Sequence, residues 1–302
     1  MTYEECFHRG RTALERAGID EAALDARLLL EHVCQTNRND LLVHGNRELS
    51  EEQIKEYENL IAGRRERRPL QHLTGEQEFM GIKFQVNEHV LIPRQDTEIL
   101  VEEVLRELSD GSRILDMCTG SGCILISLLH YSNRCRGIGV DISEEAIKIA
   151  KQNAVKCGLR LQEPYGAWGA EEEWGLCRES EVGFLCSDLF FSVKGEYEVI
   201  VSNPPYIATA VLETLMPEVR DHEPRQALDG HEDGLFFYQK IIFGSKRHLV
   251  GGGKLYFEIG YDQGEAVSDL MRQNGFTHVR TVKDYGGLDR VVSGILEGKN
   301  RS

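Results

Sequence analysis

The stretch from Ser112 to Asp141 most constrains how this chain can fold. Ser112 to Asp116 reads as a short strand, Cys118-Thr119-Gly120-Ser121-Gly122 as a turn, and Cys123 to about Tyr131 as a helix. Gly137 to Val140 reads as a second strand, closed by Asp141. Strand, helix and strand so closely spaced make a βαβ unit, which pairs its strands in parallel and lays the helix over one face. The two glycines permit a tight turn and close approach of a ligand to the backbone amides at the helix start. A dinucleotide fingerprint would place a third glycine at position 125, where the chain has Leu125, so a nicotinamide or flavin cofactor is disfavoured. Asp141, about twenty residues past the turn, can accept from both hydroxyls of a ribose. Alternatively it caps the helix from Ser143 to Lys156, and the two roles coexist only if Ser143 takes over the cap.

A second stretch, Tyr197 to Ile207, carries the chemistry. Val199, Ile200 and Val201 make a β-branched run suited to a buried strand, stopped by Ser202-Asn203-Pro204-Pro205. In an open parallel sheet ligands bind at the carboxyl ends of the strands. There the side-chain carbonyl of Asn203 and the main-chain carbonyl of Pro204, stiffened by Pro205, are two neighbouring acceptors suited to an NH2 group. Tyr206 adds a flat face for a planar amide or base. A planar NH2 is a weak nucleophile because its lone pair is delocalised, so holding both hydrogens and aiming the nitrogen is a positioning task. The electrophile this implies is the methyl group of S-adenosylmethionine, whose adenosine fits the ribose role of Asp141. Asp188, which ends a strand from Val182 to Ser187, can accept from the adenine amino group or act as a loop cap. Taken alone, Asn203 to Tyr206 is also compatible with a plain turn, and the same short motif occurs in enzymes that methylate adenine in nucleic acid.

Upstream, residues 1–75 read as a helical N-terminal domain. Asp20 is an expected N-cap with Ile19 and Leu24 as a staple, and Ser50 with Gln53 forms a capping box ahead of Ile54, Tyr57, Leu60 and Ile61. The basic run Arg64, Arg65, Arg67 and Arg68 falls where a helix dipole favours cations. Residues 76–95 read as a β-hairpin linker, with Ile82 to Val86 alternating. The catalytic domain is expected over 96–302, opening on a helix capped by Asp96, with residues 159–181 as an acidic insertion. The chain beyond Tyr206 reads as helix Gly234 to Leu249, strand Gly253 to Ile259, helix Gly264 to Gln273, and a closing antiparallel pair, Phe276 to Val282 with Arg290 to Leu296.

Charge bears on partners. The formal net charge of −15 argues against a protein that binds nucleic acid directly, because phosphate binding draws on Lys and Arg. The first residues lack the apolar block of a signal peptide and no run reaches membrane-spanning length, so a cytoplasmic protein with no membrane partner is expected. Eight cysteines are scattered without a Cys-x-x-Cys pair or a His at zinc spacing, which predicts reduced thiols and no metal.

With these residues laid out, the chain resembles the HemK/PrmC family of protein-(glutamine-N5) methyltransferases. The matching segments are Pro69 to Gly75, Leu91 to Glu98, Asp116 to Gly122, Asn203 to Tyr206 and Glu223 to Leu228, spread over nearly the whole chain. The first two are the more specific, because adenine methyltransferases do not look like that upstream of the glycine turn. The resemblance implies a Rossmann-like class I S-adenosylmethionine-dependent domain, a seven-stranded sheet with its last strand antiparallel, behind a helical domain that helps hold a peptide chain release factor. It implies methyl transfer to the glutamine of the factor's Gly-Gly-Gln loop, in translation termination. A monomer is expected. Cys118, Thr119, Gly120, Ser121, Gly122, Asp141, Asp188, Leu189 and Asn203 would surround the cofactor, and Asn203, Pro204, Pro205 and Tyr206 the glutamine. Cys118 stands where many members have glycine, which is tolerable with a negative φ. The competing readings are a nucleic-acid adenine-N6 methyltransferase and, from another class, a cofactor-binding regulatory protein without turnover.

Overall fold

The computed structural model describes residues 1–165 and 180–298. Most of the expected acidic insertion, with Trp168, Glu171 to Glu173, Trp174, Cys177 and Glu179, lies outside the described residues.

Met1–Glu76 and Leu215–His222 form one compact unit. Its longer helices are Tyr3–Arg16, Ala22–Cys34 and Glu51–Arg65, and its shorter ones Arg38–Val43 and Leu70–Thr74. Ser50 and Gln53 form the expected capping box, and Thr2 with Glu5 forms another at the first helix. Asp20 is not a cap, because the second helix starts one residue later than that reading requires, after Glu21, which makes no side-chain cap bond. Leu14, Ala26, Leu29 and Leu30 are fully enclosed in the unit's core. Tyr57 enters the same core and donates its hydroxyl to the Ala26 carbonyl at 3.1 Å. Gly10 makes room for it, since a Cβ there would stand 2.1 Å from the Tyr57 hydroxyl oxygen.

The basic run does more than sit at a helix end. Arg64 donates to Asp25 at 2.7 Å and to Glu218 at 3.1 Å, and Arg67 donates to the same Glu218 oxygen at 3.1 Å. Residues 215–222, which lie in sequence between two of the motif segments, therefore group with the helices.

Gln77–Thr214 and Glu223 onward form the second unit. It opens on the expected two-stranded sheet, β1 (Glu76–Phe79) and β2 (Ile82–Gln85), joined through Met80 and Gly81, whose φ values of 51° and 71° are those of a hairpin turn. The main sheet contains β3 (Arg113–Met117), β4 (Arg136–Asp141), β5 (Arg160–Leu161), β6 (Glu181–Cys186), β7 (Tyr197–Ser202), β8 (Leu249–Glu258), β9 (Phe276–Lys283) and β10 (Asp289–Leu296). Their spatial order is β5-β6-β4-β3-β7-β8-β10-β9. The seven expected strands are present, and the two-residue β5 adds an eighth at the edge. β10 runs antiparallel to both of its neighbours, while the strands from β5 to β8 pair in parallel.

Both faces of this sheet are covered, which explains its apolar runs. Along β7, Val199 and Val201 join one core and Ile200 the other, the two-residue alternation of a strand. One face carries helices Glu98–Glu107, Cys123–His130 and Glu144–Lys156, and the other Phe236–His248 and Gly264–Gln273. The helix Glu98–Glu107 is not capped by Asp96. A single 3-10 turn, Gln95–Thr97, precedes it, and Asp96 instead pairs with Arg290 at 3.2 Å.

Candidate active site

The carboxyl ends of β3, β4, β6 and β7 open on a cavity of about 220 Å³, lined by Met117 of β3, Val140 and Asp141 of β4, and the residues that follow β6 and β7. The turn after β3 forms one wall. Thr119 N donates to the Val140 carbonyl at 2.9 Å and Thr119 Oγ1 to Asp116 Oδ2 at 2.6 Å, which ties the turn to two strands. Asp116 is fully buried, and burial raises its carboxyl to about 7. Cys118, Thr119, Gly120 and Ser121 line the cavity; Gly122 begins the following helix, and a Cβ there would meet Ile126 at 2.9 Å. Cys118 has a φ of 62°, so the condition under which cysteine replaces glycine there without strain is not met. The thiol residue occupies the left-handed region that glycine adopts freely, at a strain of about 1–2 kcal/mol.

Asp141 holds the turn from the other side. One carboxylate oxygen accepts from Gly120 N and the other from Ser143 N, each at 2.9 Å. Ser143 Oγ accepts from Ala146 N at 3.2 Å and so caps the helix itself, meeting the condition for a second role at Asp141. Each carboxylate oxygen retains an acceptor position, the requirement for a ribose diol. Desolvation raises the Asp141 carboxyl above its ordinary range. Asp188 and Leu189 line the cavity beyond it, Leu189 with a φ of 44°.

The Asn-Pro-Pro-Tyr end of β7 supplies the opposite wall. Ser202 Oγ donates to the Met117 carbonyl at 2.5 Å, which sets Asn203 beside the glycine turn. Asn203 and Pro205 line the cavity, Pro204 is buried behind them, and Tyr206 is half-buried with its hydroxyl 3.4 Å from Glu258 Oε1. Asn203 Nδ2 donates to Thr97 Oγ1 at 3.4 Å, leaving its carbonyl oxygen as the acceptor not engaged by that bond. The Tyr206 backbone is fixed by close packing. Gln263 donates to its carbonyl at 3.1 Å, and a Cβ on Gly234, whose φ is 74°, would stand 2.2 Å from that oxygen.

Two further segments reach the cavity. Leu91, Pro93, Arg94 and Thr97 come from the stretch Leu91 to Glu98, and Pro224, Gln226 and Ala227 from Glu223 to Leu228. Arg94 pairs with Glu223, joining the two stretches, and burial raises the Glu223 carboxyl. Sequence reasoning missed several contributors. Thr97 and Phe237 line the cavity, and buried Asn153 binds both the Gln85 backbone and the Ser121 carbonyl, linking the hairpin to the turn. Ile142 also lines it and is 61% exposed; an apolar residue directly after Asp141 is a signal the sequence did contain. Among the described residues no group of His, Cys, Asp and Glu is placed to hold a metal ion, and no helix is long and apolar enough to cross a membrane.

A parallel sheet with an antiparallel strand inserted near one edge, a glycine turn under a cavity and an acid at the next strand end define a class I methyltransferase fold. A methyltransferase from Pyrococcus furiosus superposes with a TM-score of 0.50 at 14% identity, over 72% of this chain and 91% of that one. The PrmC N-terminal domain family matches residues 5–75 and a methyltransferase domain family residues 108–162. The release factor glutamine methyltransferase of Caulobacter vibrioides is 39% identical over 98% of this chain and 96% of its own length. That of Clostridium acetobutylicum is 38% identical over 99% and 100%. The chain belongs to the release factor glutamine methyltransferase family.

Proposed function

We propose that the protein transfers a methyl group from S-adenosylmethionine to the side-chain amide nitrogen of the glutamine in the Gly-Gly-Gln loop of peptide chain release factors, and so serves translation termination in the cytoplasm. It is a methyltransferase of the family to which its relatives belong, and a release factor is its substrate. The reading of a nucleic-acid adenine methyltransferase is not favoured, since relatives matched over nearly the full chain are named for glutamine and the net charge is −15. When bound, S-adenosylmethionine supplies an electrophilic methyl group.

The residues divide the work. Cys118 to Gly122 bring backbone amides and a short polar wall against the cofactor, Asp141 accepts from the ribose, and Asp188 with Leu189 borders the adenine. The observation that carries the substrate side is Asn203, set at the cavity by the Ser202 bond to β3 and turned so that its amide nitrogen is spent on Thr97. Its carbonyl oxygen and that of Pro204 accept the two hydrogens of the glutamine NH2, which aims the nitrogen at the methyl group. Pro205 stiffens this pair of acceptors and Tyr206 packs behind it. Because an amide nitrogen loses its proton only after attack, orientation rather than a strong base carries the rate. The helical unit helps to hold the release factor.

Incubation with methyl-labelled S-adenosylmethionine and, separately, a release factor, DNA and RNA tests this. Label on the Gly-Gly-Gln glutamine, lost with a Gln→Ala factor, is the expected result. Label on adenine instead, or none on any substrate, would refute it.

A further inference from the structure

Glu258, the last residue of β8, is 2% exposed, and no role described so far uses it. Its Oε1 accepts from the Tyr206 hydroxyl at 3.4 Å, while Oε2 is buried without a hydrogen-bond partner. The Thr97 hydroxyl faces this carboxyl closely enough to favour its charged form. Thr97 Oγ1 in turn accepts from Asn203 Nδ2 at 3.4 Å. A hydroxyl that accepts on one side has a single proton to give on another. The open oxygen of Glu258 is the group that can accept that hydrogen bond.

We infer that Glu258 is a positioning residue: it accepts a hydrogen bond from the Thr97 hydroxyl, keeps that hydroxyl an acceptor toward Asn203, and thereby holds the Asn203 carbonyl toward the substrate amide. The inference rests on the role given to Asn203 above. Its physical basis is the near-symmetry of a carboxamide, whose two ends differ only in donating or accepting. Without the carboxylate, the Thr97 proton can turn to Asn203, the amide can flip, and an NH2 then faces the substrate NH2. Tyr206, donating to the other carboxyl oxygen, is held by the same group, so one buried acid orients both ends of the Asn-Pro-Pro-Tyr loop.

The surroundings of Glu258 make its charge responsive to pH. Burial raises its carboxyl to about 7, and Asp96 pushes the same way, while Thr97, Arg290 and Tyr206 favour the charged form. Tyr238 and Cys123 also face it. Arg290 is itself engaged by Asp96 at 3.2 Å and Asp284 at 3.0 Å. Protonation turns an acceptor into a donor and breaks the one-way chain of bonds from Asn203.

The test uses the full chain with S-adenosylmethionine and a release factor, measuring kcat at saturation, cofactor affinity by calorimetry, and the pH profile. Glu258→Gln and Thr97→Val should each lower kcat by about 10- to 100-fold, the range expected for a misaligned reactant, with cofactor affinity little changed. The double variant should be no slower than the slower single, and Thr97→Ser should recover most of the activity lost in Thr97→Val. The wild-type kcat should fall below about pH 7, and that limb should be absent in Glu258→Gln. Wild-type kcat in Glu258→Gln beside an inactive Asn203→Ala overturns this inference and leaves the role of Asn203 standing; an active Asn203→Ala overturns that role itself. If melting shows Glu258→Gln to be unfolded, the Thr97 pair decides, and equal rates in Thr97→Val and the wild type overturn the inference.

Discussion

Replacing Arg64 by alanine removes a cation shared by two buried carboxylates of the helical unit. The side chains of Arg64, Asp25 and Glu218 are 11%, 8% and 12% exposed, with contacts of 2.7 Å to Asp25 and 3.1 Å to Glu218. Glu218 keeps Arg67 at 3.1 Å, whereas Asp25 loses its ion-pair partner. Breaking a buried pair from one side costs about 3–5 kcal/mol, because the surviving charge stays desolvated. At ~1.4 kcal/mol per tenfold change, amide exchange in helices Ala22–Cys34 and Glu51–Arg65 should accelerate by at least about 100-fold wherever it proceeds by opening of the unit. Native-state hydrogen exchange read by mass spectrometry is the assay of choice, since a melting temperature averages over two units. The double variant Arg64→Met with Asp25→Leu removes both charges and should regain most of the loss. Exchange within about threefold of the wild type in Arg64→Ala, or equal loss in the double variant, would refute the reasoning.

Three further outcomes follow from the site. The Asp116 carboxyl is raised from 3.8 to about 7 by burial, so between those pH values the folded chain keeps a proton that the unfolded chain has lost. Its contribution to stability is complete below about pH 4 and is lost as the pH rises to about 7; Asp116→Asn should flatten denaturant-derived stability between about pH 5 and 7, by of order 1 kcal/mol per pH unit. An unchanged slope would count against it. A Cβ on Gly139 would stand 2.6 Å from the Phe184 ring and 2.9 Å from Thr119 Oγ1, so Gly139→Ala should lose about 1–3 kcal/mol and weaken cofactor binding, as melting and calorimetry will report. Asp141→Ala should raise the dissociation constant for S-adenosylmethionine by about tenfold or more, with Asp141→Asn intermediate because it keeps one acceptor oxygen; equal affinities in all three proteins would dismiss the ribose role.

Local signals in the chain were legible where the cause is local. The Ser50–Gln53 capping box and the hairpin depend on residues within a few positions of one another, and the glycine turn with the Asp141 strand end on one βαβ unit, so short windows contain the whole argument. Ser143 as the helix cap follows the same rule. What escaped depends on distant partners. Asn203 meets Thr97 across 106 positions and Glu218 meets Arg64 across 154, and neither residue type advertises its partner. Asp20 and Asp96 misled for the converse reason: an acid before a helical run looks like a cap, yet a one-residue shift disqualified the first, and Arg290, brought in by β10, claimed the second. The positive φ of Cys118 was invisible because nothing in a side-chain pattern reports backbone strain that a surrounding fold imposes.

The placement of β10 also dictates an order of events during synthesis. Among the described residues β9 pairs only with β10 in the main sheet, and β10 pairs with β8 on its other side. A chain that has emerged as far as β9 therefore holds a strand with nowhere to dock, while β8 stands as a temporary edge with unpaired backbone groups. Both edges are closed by the same strand, Asp289–Leu296, which also supplies Arg290 to the Asp96 and Asp284 carboxylates. A chain ending upstream of that strand lacks the partner that closes both edges, and an open β edge is a template for edge-to-edge association.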